Sequence, residues 1–496
     1  MRGWNALTAA ARGPTESFRA ALVDPAAAQR SLLAGVLRAN RDTVFGRDHQ
    51  FAAIEGVDAY RAAVPIRNYE GFRRFVDRIA SGEPGVLTRG PVVAFEATGG
   101  SSGGRKLIPY VKESFDGFRQ AALVWLADLA RRRPAATSGG VYVAISPALR
   151  EQVRTPAGVP IGLASDADYL GEDLAAALAP LIVAPRNRAT NRDFGAWRIA
   201  TLVAMIERAD LSFVSVWSPT FFTALIEAIP GLAKQLAGQL SGNARRRLAQ
   251  ALVNSRIDVE RLWPSLAVIS CWTDGPSRFF ADKLQTLCPS VALDAKGLLA
   301  TEAAVTVPYG GGEGALPALD SVFIEFIAAT GQPLMSHELE CGGDYRVVVT
   351  TPGGLYRYDL GDRVRCVGFE GSAPRLVFLG RAAEVSDLVG EKLDDAFVAE
   401  ALRACGAPAA LKPCRTPHPH YELWLDKRNL PTADLVVAVD RALRANPQYA
   451  YARDLGQLGA IEIVAKADFA ANFAAAAVRA GRRLGDVKPV GLLREN

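Results

Sequence analysis

VVAFEATGGSSGGRKLIPY, residues 92–110, is the stretch on which the reading of the chain turns. A short apolar run, Val92, Val93, Ala94 and Phe95, stops at a cluster of small residues from Thr98 to Gly104, the pattern of a strand delivering the chain into a loop. Glycines let backbone N–H groups approach a ligand, Thr98, Ser101 and Ser102 add hydroxyls, and Arg105 and Lys106 add cations, so this loop can cradle phosphate. It is not a Walker loop: Gly99 and Gly104 have the spacing, but Arg105 and Lys106 occupy the places where Lys and a hydroxyl residue belong. A flexible turn uses the same residue types. The phosphate reading therefore needs partners elsewhere.

Working outward, the first 60 residues read as helices, with Leu32, Leu33, Val36 and Leu37 at helical spacing between Pro25 and Asn40. A helix is expected from Glu113 to Arg131, where Phe115, Phe118, Ala122 and Trp125 share a face. Short apolar strands then alternate with helical stretches: Val141–Ile145, Leu181–Ala184, Phe213–Val216, Leu266–Ser270 and Val291–Asp294. Such alternation favours a layered α/β fold with largely parallel sheets. From Ser321 to Leu379 strand follows strand (Ser321–Ile327, Asp344–Thr350, Arg363–Gly368), giving a β-rich, barrel-like subdomain. The expected division is a large N-terminal domain, 1–380, and a small mobile α+β domain, 381–496, with helices at Leu393–Ala404 and Phe469–Ala480 and strands at Tyr421–Leu425 and Ile461–Val464.

Composition agrees with a globular protein of several units. The chain has 496 residues, 49% hydrophobic and 22% charged, and its net charge of +5 is too weak a field to suggest nucleic acid. Six cysteines without a CxxC pair argue against a disulfide framework and point to a reducing, cytoplasmic setting. No apolar run reaches the roughly 18 residues of a membrane span, so no membrane partner is expected.

Other segments supply the partners that the loop requires, and together they resemble the auxin-responsive Gretchen Hagen 3 family within the adenylate-forming superfamily. The matching stretches are NRDTVFGRDHQF (40–51), VPIRNYE (64–70), the loop with Lys106-Leu107-Ile108-Pro109, KGLLATEAAVTVP (296–308), GLYRYDLGDRVRCVG (354–368), and the segments 446–462 and 486–489. The resemblance implies ATP-dependent activation of a carboxylic acid as acyl-AMP, then acyl transfer to an amine such as an amino acid. Transfer to a thiol, and a non-catalytic acid- or nucleotide-binding relative, stay open as alternatives.

The site residues follow from the same resemblance. Thr98, Gly99, Gly100, Ser101, Ser102 and Lys106 would hold phosphates, with Thr301 beside the α-phosphate. Glu302 would act near Mg2+, for which one carboxylate plus substrate phosphates is a usual set. Asp362 would accept hydrogen bonds from the ribose hydroxyls, Arg381 would contact nucleotide at the hinge, and Lys488 would reach the α-phosphate when the small domain closes. Trp217, Ser218, Phe221 and Trp272 would wall the acyl pocket. The chain departs from the family at Gly100 (usually Thr), at Arg105 (often Pro) and at Leu298, which takes the place of an adenine-stacking aromatic and can pack on a purine without stacking as a π system. Cys414, His418 and His420 flank a Pro-rich loop lacking a fourth ligand and are not read as a metal site. His337 beside Glu338 could serve as a base but is read as structural.

Overall fold

The computed structural model describes residues 2–99, 105–143, 153–162, 172–185, 194–381, 385–386, 388–389, 391, 393–429, 433–454, 457–479 and 490–493. The chain opens in helices. Helix α1 (Pro25–Asn40) starts where the Asp24 carboxylate accepts the Ala27 N–H at 2.9 Å, and it buries Leu33, Val36 and Leu37. Helix α2 (Tyr69–Ala80) buries Phe72, Phe75, Val76 and Ile79, the 3–4 spacing of one apolar face. Four such side chains stabilise by about 1.5–3 kcal/mol each, more than the roughly 1 kcal/mol of a typical cap. Packing, not capping, holds this helix.

Strands β1 (Ala94–Gly99) and β2 (Arg105–Tyr110) form an antiparallel hairpin with Thr98 opposite Lys106. Helix α3 (Lys112–Arg132) follows, one residue longer at each end than its periodicity suggests. Four strands, β3 (Gly140–Val143), β4 (Leu211–Ser215), β5 (Val268–Cys271) and β6 (Ala292–Ala295), make a parallel sheet in the order β6-β5-β4-β3. Every residue of β4 and β5 is buried, which is why these strands read as short apolar runs rather than alternating ones. Helix α4 (Pro219–Gln239) follows β4 and turns Phe221, Phe222, Leu225, Ile226 and Ile229 into the core. Ser215, Ser270 and Asp294 lie level across the sheet, so the residues after them leave its carboxyl edge together. Open α/β sheets bind ligands at that edge. The strand expected at Leu181–Ala184 is a single bridge, Ile182 to Val141. Pro180 and Pro185 bracket it, and proline cannot donate to a ladder.

Strands β7 (Phe323–Ile327), β8 (Asp344–Thr350), β9 (Tyr358–Glu370) and β10 (Ala373–Arg381), with a short strand at Pro333–Leu334, form a five-stranded antiparallel sheet. One core joins it to the N-terminal helices and the hairpin through Phe45, Phe72, Tyr110, Phe323 and Tyr356; a second core lies around α4 and the parallel sheet. Beyond residue 387 a separate core gathers Leu393, Val398, Leu411, Tyr421, Leu423 and Val439. The helix expected over Leu393–Ala404 is divided: Leu393–Asp394 pairs with Val385–Ser386, α5 spans Asp395–Ala401, and a tighter turn covers Leu402–Cys405. The cause is Asp395, whose carboxylate accepts the N–H groups of Gly491 and Leu492 at 2.7 Å and so ties α5 to the end of the chain. Around this core β11 (Ala409–Cys414) pairs antiparallel with β12 (His420–Asp426), which pairs parallel with β13 (Glu462–Lys466); helix α6 (Phe469–Arg479) follows.

Candidate active site

The segment 64–70 braces the hairpin against the antiparallel sheet. Arg67 exchanges backbone hydrogen bonds with β9, its N–H to Arg357 O at 3.1 Å and its carbonyl from Asp359 N at 2.8 Å. Two residues on, the Tyr69 hydroxyl accepts the Leu107 N–H at 2.9 Å, and Lys106 Nζ lies 5.7 Å from the Tyr69 ring centre. Lys106 on β2 and Asp362 on β9 therefore hang on elements tied through one short strut. Asp362 is 1% exposed and stands opposite Arg381.

Residues 298–306 form a second, smaller hairpin. Leu298 O accepts from Val305 N and Thr306 N, and Ala300 N donates to Ala303 O at 3.0 Å, which puts Thr301 and Glu302 at the tip. Glu302 is thus a hairpin-tip carboxylate. Tyr110, at the end of β2, donates its hydroxyl to Thr301 O at 2.5 Å and fixes that tip to the first hairpin. Gly297 enters the turn at φ +70°, and a Cβ there would stand 2.8 Å from Thr306 Oγ1, so the position requires glycine.

At the base of this second hairpin, on the carboxyl edge of the parallel sheet, lies a cleft. The loop after β5 gives it Trp272, Thr273, Asp274 and Ser277; the turn after β6 gives Lys296, Gly297, Leu298 and Leu299; β10 gives Phe378. Gly275, at φ +53°, lets that first loop press on β10, since a Cβ would sit 2.9 Å from Leu379 O. Burial raises the Asp274 carboxyl above its ordinary range, opposed by the Thr273 hydroxyl that donates to it at 3.2 Å and by Phe378. Lys296 is 5% exposed. Its Nζ donates to Ser215 Oγ at 2.7 Å and stands 4.6 Å from the Trp125 ring centre and 5.0 Å from that of Trp217.

The structure thus brings several expected residues together. Leu298 and Trp272 line the cleft, and Trp217 meets Trp272 with ring centres 5.9 Å apart. Trp217, Lys106, Thr301, Glu302 and Asp362 are not among the residues that line it. Phe221 is buried and packed on Trp197, and Ser218 is fully buried with its hydroxyl 2.6 Å from that of Thr220. Neither is among the residues lining the cleft. Helical periodicity was the signal, because Phe221 shares its face with Leu225 and Ile229. Gly100, Ser101, Ser102 and Lys488 lie outside the described residues, while Thr98, Gly99 and Arg381 are placed by their backbones at strand ends. Lys296 and Asp274 escaped the sequence reading; the available signal for Lys296 was a lysine directly after a parallel strand, at the ligand-binding edge. His337 sits on an exposed turn whose Glu338 carboxylate accepts the Met335 N–H at 2.6 Å. In the C-terminal sheet the ligand atoms that converge, within 4.8 Å of one another, are those of Cys414, His420 and Glu422, whereas His418 offers its carbonyl to the His420 ring.

A parallel sheet opening into a cleft at its carboxyl edge, a glycine-bounded hairpin beside it and an antiparallel sheet carrying Asp362 define a class, the adenylate-forming ligase fold. The chain belongs to the GH3 family: the GH3 family N-terminal domain matches residues 14–293 and the GH3 family central domain residues 315–381. It is 26% identical over 83% of its length to GH3.10 of rice (Oryza sativa subsp. japonica), a protein of the indole-3-acetic acid-amido synthetase series, covering 93% of that protein. It is 20% identical to the indole-3-acetic acid-amido synthetase GH3.2 of Arabidopsis thaliana, over 76% of this chain and 78% of that one. Among solved structures, GH3.15 acyl acid amido synthetase in complex with 2,4-DB superposes with a TM-score of 0.83 at 17% identity, over 99% of this chain and 94% of that one. A 2-hydroxyisobutyryl-CoA ligase in the postadenylation state shares the fold more distantly, with a TM-score of 0.52 at 14% identity, over 89% and 87% of the two chains.

Proposed function

We propose that this protein is an acyl-acid amido synthetase. A carboxylate oxygen attacks the α-phosphorus of ATP and pyrophosphate leaves; an amine, most naturally that of an amino acid, then attacks the acyl carbon and AMP leaves with the former acid oxygen. The observation that carries this reading is that the turn after β6, the loop after β5 and β10 meet in one cleft, in a chain of the GH3 family.

In this account Leu298 packs on the purine, Asp362 accepts the ribose hydroxyls, and the hairpin's backbone N–H groups with Thr98, Ser101, Ser102 and Lys106 hold the phosphates. Arg381 and Lys488 add positive charge as it is needed at the transferring phosphoryl group. Glu302 suits Mg2+: it is an oxygen donor whose hairpin is fixed by Tyr110, and a hard cation bound partly by substrate phosphate needs few protein ligands. Magnesium there would neutralise phosphate charge. The division at residue 380 makes the C-terminal part, with its own core, the unit that delivers Lys488. Two anions are brought together in such a site, so positioning supplies much of the rate. Among the described residues no helix is long and apolar enough to cross a membrane, and six free cysteines suit a reducing cytoplasm.

The test supplies the enzyme with ATP, an acid panel, and either amino acids or coenzyme A, and reads products by mass spectrometry. Amide and AMP are expected. A thioester as the sole acyl product would transfer the reading to a ligase of the thiol type, and ATP binding without turnover across the panel would leave a non-catalytic relative.

A further inference from the structure

We propose that the C-terminal sheet carries a transition-metal site, best matched to Zn2+, in which Cys414, His420 and Glu422 are ligands and Glu462 closes the fourth position. None of these four residues lines the cleft, and the site does not depend on the amido synthetase reading.

Strand register brings the ligands together. Cys414 ends β11 directly opposite His420, which opens β12, and side chains so paired have Cβ atoms about 4.5–5.5 Å apart. Glu422 stands two residues further along β12 and so shares the face of His420, while Glu462 opens β13 opposite Glu422. A thiol, an imidazole and two carboxylates from three strands therefore meet on one face; the other face turns Leu411, Tyr421 and Leu423 into the core. The ligand atoms of Cys414, His420 and Glu422 lie within 4.8 Å of one another, and His420 Nε2 is 3.6 Å from Glu462 Oε2. With zinc bonds of about 2.0–2.3 Å, neighbouring ligands of a tetrahedral shell are about 3.3–3.8 Å apart. Small side-chain adjustments close it.

Outer hydrogen bonds already aim these groups. The His418 carbonyl can only accept, so the His420 ring donates Nδ1–H to it at 2.8 Å and keeps the Nε2 lone pair for a metal. The Trp424 indole N–H donates to Glu422 Oε2 at 2.7 Å, which leaves the other oxygen to coordinate. Gly459 holds the turn from outside: its N–H donates to Pro419 O at 2.7 Å, and a Cβ there would come within 3.2 Å of His420 Cβ. Lys412 and Lys466 stand 5.4 Å and 4.2 Å from the Trp424 ring centre, where they offset the negative charge that a thiolate and two carboxylates carry beyond that of a dication. Thiolate with imidazole selects zinc over the oxygen-seeking Mg2+ and Ca2+. A bound ion cross-links β11, β12 and β13, and binding to the folded form alone stabilises it. The sequence sets His418 nearer to Cys414 than His420, but the fold uses its carbonyl and brings in Glu422 instead.

The full chain is reduced, stripped with a chelator and titrated with Co2+, then with Zn2+. A single equivalent of Co2+ is expected to give a thiolate-to-metal charge-transfer band and the intense visible bands of four-coordinate cobalt. Zn2+ should abolish both and raise the Tm, whereas excess Mg2+ should not compete. Cys414→Ser should remove the charge-transfer band, and Cys341→Ser, at an exposed cysteine outside this sheet, should keep it. Trp424→Phe, which loses an outer hydrogen bond, should weaken Co2+ about 10–100-fold. His420→Gln should weaken it further, and His418→Ala should leave it unchanged. The metal-free Tm of each variant separates ligand loss from misfolding, and Glu422→Gln repeats the ligand test at a partly exposed position if His420→Gln does not fold. Absence of the thiolate band in the wild type, its survival in Cys414→Ser, or equal losses in His418→Ala and His420→Gln would overturn the site.

Discussion

Two buried cations of this molecule live under opposite conditions. Arg357, 5% exposed, is cancelled: its guanidinium donates to Glu325 Oε2 at 2.8 Å and to the carbonyls of Arg61 and Val64, while Arg61 closes on the other Glu325 oxygen at 2.9 Å. Lys296, equally buried, is held on a hydroxyl and two indole faces at the wall of a cleft. The first arrangement satisfies a planar fork of donors and stores nothing for a ligand; it pins the N-terminal helices to the antiparallel sheet. The second places an ammonium between two indole faces where the chain leaves the parallel sheet. Burial alone does not distinguish scaffold from site. The chemistry of the partners does.

The largest effect that sharpens this contrast is Glu325→Ala. Removing one partner leaves two arginines facing an uncompensated buried space, so stability is expected to fall by about 3–5 kcal/mol, read from urea unfolding; a change under about 1 kcal/mol would mean that the pair is not structural. Next comes Tyr110→Phe, which deletes the hydrogen bond to Thr301 O. Stability should drop by about 1 kcal/mol, and pyrophosphate release should slow about tenfold as the Glu302 tip loosens; unaltered turnover would separate Glu302 from the reaction.

Lys296→Met is expected to change stability less than Glu325→Ala, by about 1 kcal/mol, the usual worth of a hydrogen bond such as the one to Ser215 that it removes. A fall as large as that of Glu325→Ala would erase the distinction between the two cations. The smallest effect is a pH slope. Burial, then the nearby Arg67, lowers the pKa of His49 below 6.5, while the Phe45 carbonyl accepts the ring's Nδ1–H at 2.9 Å and opposes the shift. The unfolded chain therefore binds a proton more readily than the folded one. This contribution to stability is complete above pH 6.5 and is lost as pH falls through the folded value. The decline in Tm from pH 7.5 to 5.5 should be shallower in His49→Gln; an unchanged slope would place the acid sensitivity elsewhere.

Much of the fold was legible because its signals are local. Apolar runs bounded by turns gave the buried parallel strands, and the end of α1 at Asn40 matches its periodicity. Leu181–Ala184 and Leu393–Ala404 misled for the opposite reason: flanking prolines decide the first, and a contact with residues 491 and 492, almost a hundred positions away, decides the second. The stretch 40–51 resembled a family signature yet works in the core, where Phe45 stacks on Tyr356 at 4.8 Å and Thr43 caps the next helix. Leu298 and Trp272, singled out from the sequence, both line the cleft, but Lys296 needed the sheet, since only the register of β4, β5 and β6 sets Ser215 and Lys296 side by side.

The central claim, that one cleft binds ATP and turns an acid against it, is tested most directly by exchange of labelled pyrophosphate into ATP. The account predicts exchange that requires a carboxylic acid in the wild type and falls at least a hundredfold in Asp362→Ala with unfolding behaviour intact. Exchange that proceeds without acid, or that survives in Asp362→Ala, would contradict it.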